Sequence, residues 1–234
     1  MSLDFIFCIL PRVDVVGPVL GPYVLKSVLE NHGYSSKVYD LNLEYYKNLN
    51  DKQRDLYWHN EDRVFHRDFP EAFNELWNES FGDFCKKWAR TLAEKNPKYL
   101  GLSIFSSRSF HSSLAFIKEF KKINSETKIV CGGPYATFML GKGHDLAKIT
   151  DYILEGDCEE SLIQFMRGNL SYPGINSKGR QIDDLNSIPF PNYDDFDFKS
   201  LDEICPGKNV HVTASRGCVR RCDFCDVKTL WNKF

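Results

Sequence analysis

Six apolar residues in a row, Phe-Ile-Phe-Cys-Ile-Leu over 5–10, follow Asp4 near the start of the chain. A half-exposed strand would alternate, so this run predicts a strand buried on both faces of a parallel sheet and ended by Pro11. Beyond a loop with Asp14, Gly17 and Gly21, the positions Val24, Leu25, Val28 and Leu29 recur at helical spacing from Pro22, and Gly33 suits a C-cap. Residues 37–41 read as a second strand, which makes a right-handed β-α-β opening. Residues 99–105, 128–131 and 151–154 read as three more strands. A helix is expected over 110–123, with Leu114, Ile117 and Phe120 on one side, and another after Gly156, where acidic residues suit a helix start. The alternation predicts an α/β fold, a doubly wound, Rossmann-like, five-stranded parallel sheet with its ligand crevice beyond the carboxyl ends of the strands. Ser103 and the Gly132-Gly133-Pro134 turn sit at such ends.

Three stretches depart from this pattern. Residues 44–97 scatter aromatic residues among charges and predict a helical insertion, in which Phe73, Leu76, Trp77, Phe81, Phe84 and Trp88 form a stripe expected to pack as core rather than hold a cofactor. Residues 169–207 dissolve into prolines, glycines and the acidic run Asp194, Asp195 and Asp197. They predict a linker that wraps rather than packs, with the acids on a solvated face. Residues 211–215 look like a strand again and lead into Arg216-Gly-Cys-Val-Arg-Arg-Cys-Asp-Phe-Cys. The expected organisation is a Rossmann-like domain over 1–168 with the insertion at 44–97, a linker over 169–207, and the start of a further domain over 208–234.

Composition narrows the classes. With 234 residues, 42% of them hydrophobic, one or two ordinary domains can be built. A net charge of −2 gives no global attraction to nucleic acid or anionic membrane, and neither partner is expected. No stretch reaches the roughly 20 apolar residues that span a bilayer, and the run at 5–10 lacks the basic start and length of a signal peptide. The eight cysteines are therefore expected to stay reduced, as in a cytoplasmic protein. Cys8, Cys131 and Cys158 fall in or beside expected strands and read as small core residues, and Cys85 and Cys205 carry no ligand signal.

Cys218, Cys222 and Cys225 are different. Their C-x3-C-x2-C spacing gathers three thiolates in one loop, which points to a metal or cluster site before a disulfide. A four-iron cluster held by three thiolates leaves one iron open to a substrate or cofactor. Structural zinc needs a fourth ligand, for which His211 or Cys205 stand nearest in sequence.

Together with Gly132-Gly133-Pro134, the Asp151-Tyr-Ile-Leu-Glu-Gly-Asp-Cys-Glu-Glu-Ser-Leu stretch and Ile188-Pro-Phe-Pro, the motif Ser215-Arg-Gly-Cys-Val-Arg-Arg-Cys-Asp-Phe-Cys resembles the radical S-adenosylmethionine (radical SAM) enzymes with an amino-terminal cobalamin-binding-type domain. The likeness covers most of the chain outside 44–97; the three-cysteine motif is specific, and the others count by their order. It implies that Cys218, Cys222 and Cys225 bind a 4Fe-4S cluster, that S-adenosyl-L-methionine chelates the open iron, and that Phe224 lies near the adenine or packs as an ordinary aromatic. The implied activity is formation of a 5′-deoxyadenosyl radical that attacks a small-molecule substrate, in a methyltransferase or a cyclase-like or rearranging enzyme. A flavodoxin- or ferredoxin-type donor would supply the electron. A radical SAM (β/α) barrel needs several more units after the cluster loop. The resemblance therefore implies only the first strand and cluster loop of an incomplete barrel, completed by further chain or a second polypeptide, and no turnover by 1–234 alone. A non-catalytic α/β module with a structural zinc or iron-sulfur site is the alternative.

Cobalamin domains of this kind often carry Asp-x-His-x-x-Gly after the first strand, then Ser-x-Leu and Gly-Gly motifs for the nucleotide tail. Here residues 13–17 read Val-Asp-Val-Val-Gly without a histidine, while Ser103, Gly132 and Gly133 keep the outline of the other two. This excludes a histidine-on cofactor and leaves cobalamin binding open. Otherwise Ser103 ends a strand with a hydrogen bond, and the glycines make a turn of positive φ. Arg216, Arg220 and Arg221 either shield an anionic cluster or form a basic turn. Gly141-Lys142-Gly143 falls short of a phosphate loop. His32, His59, His66, His111 and His144 form no recognisable spacing.

Overall fold

The structure, a computed structural model, describes residues 3–60, 64–65, 68–139, 145–205, 207, 209–220, 222–225, 227 and 231. His66, the 141–143 run, His144, Pro206 and Arg221 lie outside these residues. Five parallel strands form the sheet: β1 (Phe5–Ile9), β2 (Ser36–Asp40), β3 (Tyr99–Ser103), β4 (Lys128–Gly132) and β5 (Tyr152–Ile153), in the order β2-β1-β3-β4-β5. The order reverses between β1 and β3, which places the crevice of a doubly wound fold at their carboxyl ends. Among the described residues no helix is long and apolar enough to cross a membrane.

Alternation along the strands builds two cores. Phe5, Phe7, Ile9 and Val130 face a layer made by α1 (Leu20–Asn31) and, late in the chain, Cys158–Met166. Ile6, Cys8, Leu100, Leu102, Ile129 and Cys131 face the opposite layer. Both faces of β1 are thereby filled, as its unbroken apolar run requires. Helix α1 starts two residues before Pro22, because a first-turn residue needs no N–H partner. It ends in a Schellman motif: Gly33, at φ +80°, donates to Glu30 O at 3.0 Å and Tyr34 donates to Leu29 O at 3.1 Å.

Between β2 and β3 run α2 (Leu41–Asn48), α3 (Asp51–Arg54), α4 (Pro70–Leu76) and α5 (Gly82–Ala93), joined by wide π-type turns at 55–60 and 77–81. The aromatic stripe packs as expected. Phe73, Leu76 and Phe81 are buried, and Tyr45 sits between Phe81 and Phe84 at 5.1 and 5.0 Å. Helix α6 (Phe110–Ile123) packs on α5. Helices α7 (Pro134–Met139) and α8 (Asp145–Ile149) lead to β5, and α9 (Cys158–Met166) completes the first layer.

Residues 169–207 do more than wrap. Ile175, Phe196 and Leu201 are buried in the first core, and α10 (Phe198–Ile204) forms with Asp197 as its N-cap. The acidic run is solvated only in part: Asp194 is exposed, but Asp195 accepts from the Lys26 ammonium at 2.7 Å and from Val38 N–H at 3.0 Å on the edge of β2. At the other edge Asn176 pairs with β5, donating its N–H to Ile153 O at 2.8 Å and accepting from Ile153 N–H at 2.7 Å. The segment therefore closes both open edges of the sheet, the groups that invite unwanted pairing. The strand expected over 211–215 is absent; the described residues there take no regular structure. Valine and threonine alternation favours a strand only where a neighbour can pair with it, and among the described residues none does.

Candidate functional site

A cavity of about 450 Å³ opens beyond the carboxyl ends of β3, β4 and β5, between α1 and α9. Its floor is the first face of the sheet, with Phe5, Phe7, Val130 and Leu154. Val24 and Leu25 of α1 and Leu162 of α9 form its walls. The floor is hollow for a reason visible strand by strand. Positions 101 and 103 of β3 and 130 and 132 of β4 share this face, and three of the four are Gly101, Ser103 and Gly132. The Phe5 ring fills the space above Gly101, where an added Cβ would meet its Cε1 at 2.3 Å. More room is left above Gly132, whose added Cβ would make only ordinary contacts with Leu154, 3.6 Å from its O and 4.0 Å from its Cβ.

The two glycines of the turn do different work. Gly133 lies at φ +99°, and a Cβ there would stand 2.8 Å from Ile104 O, so backbone and packing both demand glycine. Gly132 has neither constraint, and its missing side chain enlarges the cavity. The Ser103 hydroxyl, also on the lining, has no hydrogen-bond partner among the described residues, so the strand-end bond considered for it is not made.

The roof comes from the far end of the chain. Thr213, Ser215, Arg216 and Gly217, with Val227 and Trp231, close over the cavity. They are held by the turn between β5 and α9. Asp157 Oδ1 accepts from Arg216 Nη1 at 2.9 Å and from Trp231 Nε1 at 3.0 Å, and its Oδ2 accepts from Ile182 N–H at 2.9 Å. Arg216 Nη1 also reaches Glu159 Oε2 at 3.2 Å, and its Nη2 donates to Glu159 Oε1. Arg216 is thus not an exposed basic surface turn; its charge meets two carboxylates at the α9 N-terminus. Upstream, Tyr193 Oη donates to His211 O at 2.7 Å, and Asn209 lies against Gly17 of the loop after β1. That loop is pinned in turn by Asn42, which exchanges hydrogen bonds with Val13 at 2.8 and 2.9 Å.

Ser103, Gly132 and Gly133 come together on the cavity, whereas the cysteines stand outside it. Cys218 is exposed, Cys222 and Cys225 are half-buried, and all three are free thiols. Among the described residues no group of three or more His, Cys, Asp or Glu side chains stands close enough to hold a metal ion. Phe224 is 91% exposed and touches no part of the lining. The donor set still suits a cluster, since three free thiols on one short loop meet no competitor stronger than the Arg220 N–H that Cys218 Sγ accepts at 3.4 Å, and such sites commonly close around their metal. The buried thiols Cys8, Cys85, Cys131 and Cys158 are all pushed up by burial and stay unreactive, as their core reading requires. Cys158 stands at the first position of α9 rather than in a strand. The pairing of Arg216 with Asp157 and Glu159 escaped the sequence reading. Acids at 157 and 159 look like ordinary helix-start residues, and nothing local ties them to an arginine so far along the chain, 57 residues beyond Glu159.

No family model and no curated protein matches the chain. Among solved structures it is similar to the radical S-adenosylmethionine methyltransferase TsrM from Kitasatospora setae. With tryptophan substrate and a SAM analog bound, the TM-score is 0.44 at 16% identity over 74% of this chain. With cobalamin and a [4Fe-4S] cluster bound, it is 0.47 at 15% identity over 75%. The chain spans 28% and 29% of the length of those two solved chains.

Proposed function

We propose that this chain is the amino-terminal portion of a radical SAM iron-sulfur enzyme whose sheet domain receives the nucleotide tail of cobalamin. One observation carries the reading: the strand-end residues Ser103, Gly132 and Gly133 and the segment entering the three-cysteine loop, Ser215 to Gly217, line the same cavity. These motifs lie more than 80 residues apart, and independent surface features would have no reason to converge. The lining is apolar with a few convergent polar groups, and the volume falls within the roughly 300–1,000 Å³ usual for ligand sites. In this reading the nucleotide base enters over Gly132 and the Ser103 hydroxyl supplies a hydrogen bond. Cys218, Cys222 and Cys225 bind a 4Fe-4S cluster with one iron left for S-adenosyl-L-methionine. Such a cluster supplies the electron that turns S-adenosyl-L-methionine into methionine and a 5′-deoxyadenosyl radical. The chain's own residues orient and enclose: the α1/α9 walls exclude water, and the Arg216 ion pairs hold the segment bearing the cysteines. A flavodoxin- or ferredoxin-type donor and a small-molecule substrate complete the proposal, as does the remainder of a barrel in the same or a second polypeptide.

Anaerobic reconstitution with iron and sulfide tests it. About four irons per chain are expected, lost in Cys222→Ala. Stoichiometric zinc with no iron uptake would instead establish a non-catalytic module.

A further inference from the structure

We propose that Arg216 is the latch of the cavity, holding the segment that leads into the three-cysteine loop shut over the space between α1 and α9. The 211–217 part of the roof takes no regular structure, and among the described residues the firm attachments near the mouth are polar. Arg216 keeps only 14% of its side chain exposed, and its partners Asp157 and Glu159 keep 3% and 10%. A guanidinium that bridges two enclosed carboxylates cannot be removed without leaving both charges unpaired, which is far costlier than losing a surface pair. Both carboxylates belong to the rigid sheet layer, one at the α9 N-cap and one in its first turn, so the layer is the fixed jaw and the 213–217 segment the moving one. Gly217, at φ +84°, follows the latch directly and supplies backbone freedom between it and Cys218. Arg216 is accordingly a positioning residue: it acts on access to the cavity and on where the cysteine loop stands, not on a reacting atom. The inference stands on these contacts alone, whether or not the ligand proposed above is the occupant.

The chain carries its own reporters. Cys158 lines the cavity, as does Cys131 from β4, whereas the buried Cys8 and Cys85 belong to the opposite layer and stand off the lining. Alkylation of the ligand-free chain with iodoacetamide, mapped by mass spectrometry, separates opening of the roof from loss of the fold. In Arg216→Ala, Cys158 is expected to label at least about tenfold faster than in the unaltered chain while Cys8 and Cys85 keep their rates. Arg216→Lys keeps one charge contact and is expected to restore most of the protection. The sign is diagnostic, because the Arg216 charge favours the Cys158 thiolate, and its removal without movement of the roof would slow labelling. A Cys158 rate that is unchanged or slower in Arg216→Ala overturns the latch. A rise in Cys158 shared by Cys8 and Cys85 in both Arg216→Ala and Arg216→Lys shows that Arg216 holds the fold rather than the roof, and overturns it equally.

Discussion

The cavity and the cysteine loop carry the two halves of the proposed chemistry, and they are prepared to opposite degrees. The cavity is built before any ligand arrives: its floor is a sheet face, its walls are two buried helices, and its emptiness follows from residues too small to fill it. The cysteine loop has its donors in sequence order but not gathered in space. The difference follows from what each must bind. A large apolar group gains from burial only where packing has already made a dry hollow, whereas three thiolates can be drawn together by the metal itself.

If that contrast is right, the two regions should fail independently. Cys222→Ala is expected to abolish iron uptake while leaving the urea unfolding midpoint within error of the unaltered chain, since no core residue touches it; a large fall in midpoint would show that the loop is structural. The next largest effect is expected away from both. Lys26→Met leaves the enclosed Asp195 with only the exposed Lys37 ammonium at 4.0 Å and the Val38 N–H, and urea unfolding should show a loss of about 2 kcal/mol. An unchanged stability would mean that the 169–207 segment is not locked to α1. Gly133→Ala meets both a positive φ and the Ile104 carbonyl, and is expected to cost about 2 kcal/mol. Gly132→Ala meets neither and should cost much less, a difference that vanishes if the two glycines are equivalent.

The smallest effect is a pH dependence. Burial raises the Asp40 carboxyl to about 7, against hydrogen bonds from Leu43 and Asn42 N–H that pull it down. Between pH 4 and 7 the folded chain then holds a proton that the unfolded chain has released, so this group favours folding at low pH and its contribution is lost as pH rises through 7. Asp40→Asn keeps a side-chain acceptor for Leu43 N–H, and is expected to raise stability at pH 8 with little change at pH 4.5. Thermal melts at the two pH values measure this directly. Equal shifts at both would contradict the assigned cause.

The same contrast governs what could be read from the sequence. Local rules sufficed where the structure is local: the run at 5–10, the helix at 110–123 and the Gly33 cap all stand where periodicity and capping place them. They failed where a distant partner decides. Prolines and aspartates at 189–197 look like a solvated linker until Lys26 and the β2 edge are known to lie beneath them. Residues 211–215 look like a strand until no strand is found beside them among the described residues. Ser103 and Gly132 were legible as strand-end residues, but the hollow above Gly132 depends on neighbours that no spacing reveals. The Arg216 latch joins residues 57 apart in sequence.

The central claim is that the hollow above Gly132 is a cofactor pocket and not a packing gap. Titration of cobalamin into the anaerobically reconstituted chain, followed by its visible spectrum, tests this most directly when Gly132→Val is run beside the unaltered protein. Saturable one-to-one binding that is weakened at least about tenfold in Gly132→Val, with iron content unchanged, is the predicted result. No binding to the unaltered chain, or equal binding to both, would contradict the account.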